Sequence, residues 1–278
     1  MSRSKLSLAR RDEIIALAEE VAETHCLGRY IDPIYILNQK NITYSFNYYG
    51  DGFDGMLEHR GGRFHMFCNL DRVSNSTSPR ARFTQGHELG HYFIDEHRNA
   101  LLRGMPPHLS ITDQLDPERV VEEEADLFAS HFLMPEQRFR AAFKNQPLGL
   151  NGIIGIHKQF SVACSSAALR VLRHSSEPLA LAYWRNDKSP WTEVNTAFRT
   201  MGLVYVMKRA DRLTSDCATS LAIADNPNTY CSPKSTVSLA SSWFNGIYQG
   251  SALDIMLQEE AVRLGRFGVL TILSPLRR

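Results

Sequence analysis

The stretch from Arg82 to His97, RFTQGHELGHYFIDEH, constrains the fold of this chain more than any other. Just upstream, Ser78-Pro79 supplies an N-cap and a first-turn proline, so the spacing predicts a helix running to about His97. On such a helix His87 and His91 lie about 40° apart around the axis, and both imidazoles can reach one ion. Zinc suits the pair: it accepts neutral imidazole nitrogen, takes about four ligands, and in catalytic sites leaves one position open. Glu88, beside the first histidine, is then placed to take a proton from a water acidified by the metal, which is the chemistry of peptide-bond hydrolysis.

Two groups could complete the site. His97 has the histidine spacing of the metzincin pattern, in which a glycine turns the chain sharply and brings the last histidine round. Here Ile94 holds that position and disfavours positive φ, and on a continuous helix His97 lies about 240° round from His91, facing away from it. The alternative is a carboxylate from a second helix, in the acidic run Glu122, Glu123, Glu124. The apolar face of that helix runs through Val120, Val121, Leu127, Phe128 and Phe132, and Glu124 falls within the stripe. An ionised carboxylate there is costly unless paired or bound to metal, so periodicity selects Glu124 as the third ligand with His87 and His91. His131, on the same face, reads as a core histidine, a substitute ligand or a hydrogen-bond donor. Asp95 reads as a group that orients a ligand imidazole or as a solvated helix residue.

Around this pair of helices the periodicity predicts an amphipathic first helix through Leu6, Ile14, Ile15, Leu17, Ala18 and Val21, and a short second helix opened by Asp32-Pro33. Three β-branched or aromatic segments, ITYSFNYY, FDGMLEHR and RFHMFCNL, are separated by Gly-Asp-Gly and Gly-Gly and predict a three-stranded antiparallel meander. Asp116-Pro117 opens the acidic helix, and Met134-Pro135 stops it. The whole is an α+β chain: a mainly helical domain over 1–147 that carries the small sheet and the metal site, a helical segment over 148–175, and a C-terminal α+β domain over 176–278. In the last, a helix is expected around ALDIMLQEEAVRLG and a final strand at FGVLTILS.

A formal net charge of +1 over 278 residues excludes global attraction to nucleic acid or an anionic membrane. The N-terminus lacks the uninterrupted apolar core of a secretion signal, and no later run is apolar enough to span a bilayer. Five scattered cysteines, with no C-x-x-C pair, argue against a disulfide framework and a thiolate zinc knuckle. These features predict a cytoplasmic protein with reduced thiols.

With RARFTQGHELGHYF and EEEADLFASHFLMP both in place, the chain resembles the ImmA/IrrE family of zinc-dependent endopeptidases, over roughly residues 5 to 145. Gly86 stands where alanine is usual in that family, and Phe132 replaces a leucine. The resemblance implies His87, His91 and Glu124 as zinc ligands and Glu88 as catalytic base. It also implies a cytoplasmic metallo-endopeptidase that cleaves a helix-turn-helix repressor to release stress or mobile-element genes, and some members act instead in toxin-antitoxin pairs. The 148–175 segment is similar to the family's helix-turn-helix-like portion, where Ser165, Ser166, Arg170 and Arg173 offer a thin set of DNA contacts. The region after 176 is placed as a GAF-like sensor. A catalytically silent DNA- or repressor-binding regulator is the rival reading, and Glu88 speaks against it, since a structural metal needs no adjacent base. The donor set admits one zinc ion, and imidazole and carboxylate also accept manganese or another divalent ion.

Overall fold

The amphipathic N-terminal pattern becomes helix α1 (Leu8–His25), which buries Ile14, Ala18, Val21 and Ala22 along one face. In this computed structural model the described residues are 6–25, 31–106, 109–110, 120–185, 190–201, 213–244 and 255–276. Helix α2 (Pro33–Gln39) starts where Asp32 caps it, the carboxylate accepting from the Ile34 N–H at 3.0 Å. Strands β1 (Thr43–Asn47), β2 (Gly55–Arg60) and β3 (Arg63–Asn69) follow.

β2 and β3 form an antiparallel hairpin across Gly61 and Gly62, both at positive φ, as a two-residue turn of this hand requires. β1, however, pairs with β3 in parallel, so the expected antiparallel meander is corrected. The physical reason lies in the connection through Gly50-Asp51-Gly52, which is too long for a tight hairpin and carries the chain to the other side of β3. The buried Asn69 side chain clamps it there, donating to the carbonyls of Gly50 (2.6 Å) and Phe53 (2.7 Å) and accepting from the Tyr49 N–H (3.1 Å).

After the short α3 (Leu70–Val73), Ser78 opens α4 (Pro79–Phe93) as expected, its hydroxyl accepting from the Ala81 N–H at 3.2 Å. The helix ends at Phe93 rather than His97. Ile94 is extended (φ −73°, ψ 113°), and α5 (Asp95–Leu102) leaves in a new direction. The two-residue β4 (Leu109–Ser110) extends the sheet at β2, giving the order β1-β3-β2-β4. Helix α6 (Val120–Leu133) ends before Met134-Pro135, while its expected start at Asp116-Pro117 lies outside the described residues. α7 (Glu136–Phe143) follows.

The chain divides into two compact units, 1–144 with 158–163, and 145–157 with 164–278, so the helical stretch 148–175 is shared between them. In the first unit α6 packs against both α1 and α4, and α4 also packs against β2 and β3. Phe93, Phe128 and Phe132 stack in series between these helices, at 6.0 and 5.7 Å between ring centroids.

In the second part of the chain, α8 (Leu150–Phe160) and α9 (Cys164–His174) are joined by a turn in which Ser161 has φ 52°. There follow β5 (Ala180–Trp184), β6 (Trp191–Val194), α10 (Thr196–Arg199), α11 (Ala218–Ala224), β7 (Lys234–Leu239), α12 (Ala240–Trp243), β8 (Met256–Arg263) and β9 (Val269–Pro275). The strands make one antiparallel sheet in the order β6-β5-β9-β8-β7, over a core that includes Trp184, Phe198 and Trp243. The helix expected around ALDIMLQEEAVRLG is instead β8. Leu257, Glu259 and Ala261 recur at period two on the buried side. The strand includes the fully buried Glu259, which accepts from the Thr219 N–H (2.6 Å) and the Trp243 indole N–H (3.0 Å).

Phe128 is fully buried between two aromatic neighbours. Phe128→Ala is expected to cost the first unit about 3–5 kcal/mol through lost burial and the cavity left behind. Urea unfolding followed by circular dichroism measures the loss.

Candidate metal centre

The site is built where α4 and α6 approach closely. Gly86 and Gly90 of α4 face Ala129 and Ala125 of α6. A Cβ added to Gly90 would stand 3.2 Å from the Ala125 Cα, and one on Gly86 3.5 Å from the Ala129 Cβ. Small residues at four-residue spacing on both helices bring the backbones together, and the side chain one turn before Ala125 then reaches α4. That side chain is Glu122.

Glu122 meets His87 and His91. His87 Nε2 lies 3.3 Å from Glu122 Oε2, His91 Nε2 lies 3.6 Å from Oε1, and the two Nε2 atoms are 3.1 Å apart. One donor atom from each of the three residues lies within 4.8 Å of the others. Ligands about 2.0–2.1 Å from a tetrahedral zinc are separated by about 3.3 Å, so the donor set and its spacing fit that ion. The fourth tetrahedral position has no ligand among these three, as in sites that do chemistry.

The carboxylate beside the imidazoles is therefore Glu122 where periodicity selected Glu124. Glu124 is buried, as expected, and it has the partner that burial demands, but the partner is not the metal cluster. Its oxygens accept from Arg10 Nε and Nη2, both at 2.9 Å, and Oε2 also lies 3.0 Å from His97 Nε2. The apolar stripe misled because α6 buries two faces at once. Glu124 lies on the face that meets Arg10 of α1, whereas Glu122 lies on the face toward α4, together with Ala125, Phe128, Ala129 and Phe132, which pack against Gly90, Phe93 and Gly86.

His97 does not reach the cluster as a ligand. The break at Ile94 brings it behind His91, with the two Nδ1 atoms 3.2 Å apart. Behind His87 stands Asp126, whose Oδ1 is 2.8 Å from His87 Nδ1. Asp126 is four residues after Glu122, so one turn of α6 supplies a carboxylate to each side of the same ring. The orienting role considered for Asp95 thus falls to Asp126. Asp95 is exposed and pairs with Arg98, and His131 faces Glu19 on α1. Sequence reasoning missed Asp126, although its E-x-x-x-D spacing from Glu122 was a usable signal once Glu122 was chosen.

Glu88 is buried beside Gly55 of β2, where an added Cβ would stand 2.7 Å from its Oε1 and 2.4 Å from the Thr84 Cγ2. Only a glycine leaves room for that carboxylate. The local field is strongly negative, and this shows in His87. Burial alone would lower its pKa, but the hydrogen bonds to Asp126 and Glu122 and the charges of Asp126 and Glu88 outweigh it and hold the pKa well above the ordinary histidine value. Two imidazoles with Glu122 between them, Asp126 behind His87 and the charge of Glu88 nearby make a cluster that favours a cation, whether proton or metal ion. Burial first, then the charges of Glu88 and Asp54, push the Cys68 thiol up to about 12.

Residues 73–172 match the family model described as the IrrE N-terminal-like domain, a peptidase family. A Mycobacterium tuberculosis transcriptional regulator of known structure shares the fold at 12% identity, with a TM-score of 0.54 over 96% of this chain and 90% of that one. No curated protein matches the chain.

Two outcomes are expected. Gly86→Ala, with only ordinary contacts at its Cβ, should keep or slightly raise stability by up to about 1 kcal/mol, whereas Gly90→Val should separate the helices and weaken metal binding. Thermal melts and chelator competition read both. A metal bound at His87 must displace the proton that the raised pKa retains, so apparent zinc affinity should fall as pH drops below that pKa and level off above it. Calorimetry in buffers of differing ionisation enthalpy, run below that pKa, should report proton release on zinc binding.

Proposed function

Since residues 73–172 match the IrrE N-terminal-like family model, we propose that this chain is a zinc-dependent endopeptidase of the ImmA/IrrE kind whose metal is held by His87, His91 and Glu122 and whose base is Glu88. The observation that carries the reading is the convergence of two imidazoles and a carboxylate at ligand spacing, with a second buried carboxylate on the residue next to the first imidazole. Zinc bound there supplies Lewis acidity toward a peptide carbonyl and lowers the pKa of water.

The protein's own groups do the rest. Asp126 accepts from His87 Nδ1 and so keeps the Nε2 lone pair aimed at the cluster. Glu88, confined by Gly55 and Thr84, takes a proton from the attacking water and returns it to the departing amine. A purely structural zinc would gain nothing from a buried carboxylate in that place, which favours a peptidase over a silent regulator.

For the substrate we propose a helix-turn-helix repressor, with the chain acting in the cytoplasm to release the genes that repressor holds. Three features support a protein partner and this setting. Arg170, one of the few candidate DNA contacts on α9, is buried at 5% exposure and unavailable to a phosphate backbone. Cys68, Cys164, Cys217 and Cys231 are free thiols. Among the described residues no helix is long and apolar enough to cross a membrane. The antiparallel sheet with short helices after residue 176 supports a sensor role of the GAF-like kind for the C-terminal part.

Elemental analysis and a cleavage assay test the reading. Glu122→Ala should lose stoichiometric zinc, whereas Glu88→Gln should keep it and cleave about 10²- to 10⁴-fold more slowly. Full zinc occupancy in Glu122→Ala, or wild-type cleavage by Glu88→Gln, would sink the proposal.

A further inference from the structure

The third histidine of the HELGHYFIDEH stretch lies in a file of hydrogen bonds that runs from α1 to the metal ligands. Arg10 donates from Nε and Nη2, each at 2.9 Å, to the two oxygens of Glu124. Glu124 Oε2 faces His97 Nε2 at 3.0 Å, and His97 Nδ1 faces His91 Nδ1 at 3.2 Å. His91 then turns its remaining nitrogen, Nε2, toward His87 and Glu122. His91, His97 and Glu124 are all buried, with 1%, 5% and 5% of their surface exposed.

Each link in this file has only one direction. A guanidinium donates and never accepts, and a carboxylate accepts. His97 must therefore present N–H from Nε2 to Glu124, which in a neutral ring leaves Nδ1 as an acceptor. Facing that acceptor, His91 Nδ1 must be the donor. The proton of the neutral His91 ring is thereby placed on the side away from the cluster, and Nε2 is left with its lone pair where a metal would sit. The tautomer of a ligand histidine is set by the partner of its other nitrogen, and mutation of such partners typically lowers metal affinity 10- to 100-fold.

We infer that His97 and Glu124, anchored by Arg10, are positioning residues of the metal centre, fixing His91 in the tautomer that offers Nε2 to the ion. The inference rests on the reading of His87, His91 and Glu122 as ligands. It gives the two residues that sequence reasoning weighed as third ligands a role one step behind the metal. It also ties the centre to α1, because Arg10 is the group that completes the Glu124 carboxylate. The break at Ile94 is what makes the arrangement possible, since on a continuous helix His97 would face away from His91.

The test uses the full chain and zinc alone. His97→Leu keeps most of the side-chain volume and removes both hydrogen bonds. His97→Gln restores an acceptor oxygen and an amide donor in the same order. Chelator competition should show zinc binding weakened about 10- to 100-fold in His97→Leu and largely recovered in His97→Gln. Nitrogen NMR of the zinc-loaded wild type, which needs no variant to fold, should find the His97 ring proton on Nε2. His91→Ala separates the two readings: if it binds zinc as the wild type does, the ligand assignment fails and the positioning role falls with it. If His91→Ala loses zinc while His97→Leu binds as tightly as wild type, or the His97 proton sits on Nδ1, the ligands stand and the positioning role is overturned.

Discussion

The close approach of α4 and α6 through Gly86, Gly90, Ala125 and Ala129 is the contact from which the rest of the first unit follows. A glycine inside a helix costs about 1 kcal/mol relative to alanine, and at Gly90 the approach of the Ala125 backbone, 3.2 Å from where a Cβ would stand, accounts for it. The approach brings Glu122 within reach of two imidazoles and sets Asp126 behind the first of them. It also brings Phe93 against Phe128, so the aromatic stack that fills the space beyond the small residues makes the same spacing rigid.

Buried charge imposes a second order on the unit. Asp54, fully buried, is held by Arg72 and Arg80 at 2.8 and 2.9 Å. Glu124 is held by Arg10. Carboxylates in low dielectric need a cationic or strongly donating partner, and arginine supplies one with fixed geometry. At Glu122 and Glu88 the neighbours are imidazoles instead, which can carry a proton or give up a lone pair. Structural and chemical carboxylates are thus distinguished by the kind of cation that faces them. Arg10 and His97 connect the two kinds, because both bond Glu124 and the far side of the His97 ring faces His91.

The C-terminal part follows different rules. Its sheet is antiparallel throughout, and its core mixes Trp184 and Trp243 with a buried polar group, Glu259, bonded to the Thr219 N–H and the Trp243 indole. A carboxylate at that position on β8 joins the strand to α11 and α12 through hydrogen bonds rather than through apolar contact alone. The alternation of Leu257, Glu259 and Ala261 makes sense only against a sheet, where all three fall on the buried side.

Local patterns in the sequence determined a good deal about this protein. The capping serine and proline before α4, the Asp32 cap of α2, the Gly61-Gly62 hairpin and the Pro135 stop were legible because each depends on a few neighbouring backbone groups. So was the meeting of His87 and His91, whose spacing on one helix needs no other element. Tertiary structure alone decided the parallel placement of β1, where Asn69 reaches back to clamp a distant loop. It decided β8, where burial on a sheet outweighs helical composition. It also decided that Glu122 meets the two imidazoles while Glu124 meets Arg10, because only the packing of α6 between α1 and α4 says which helix each carboxylate faces. Periodicity reports that a face is buried, but a helix packed on two sides has two buried faces, and the identity of the neighbour on each is a long-range property of the fold.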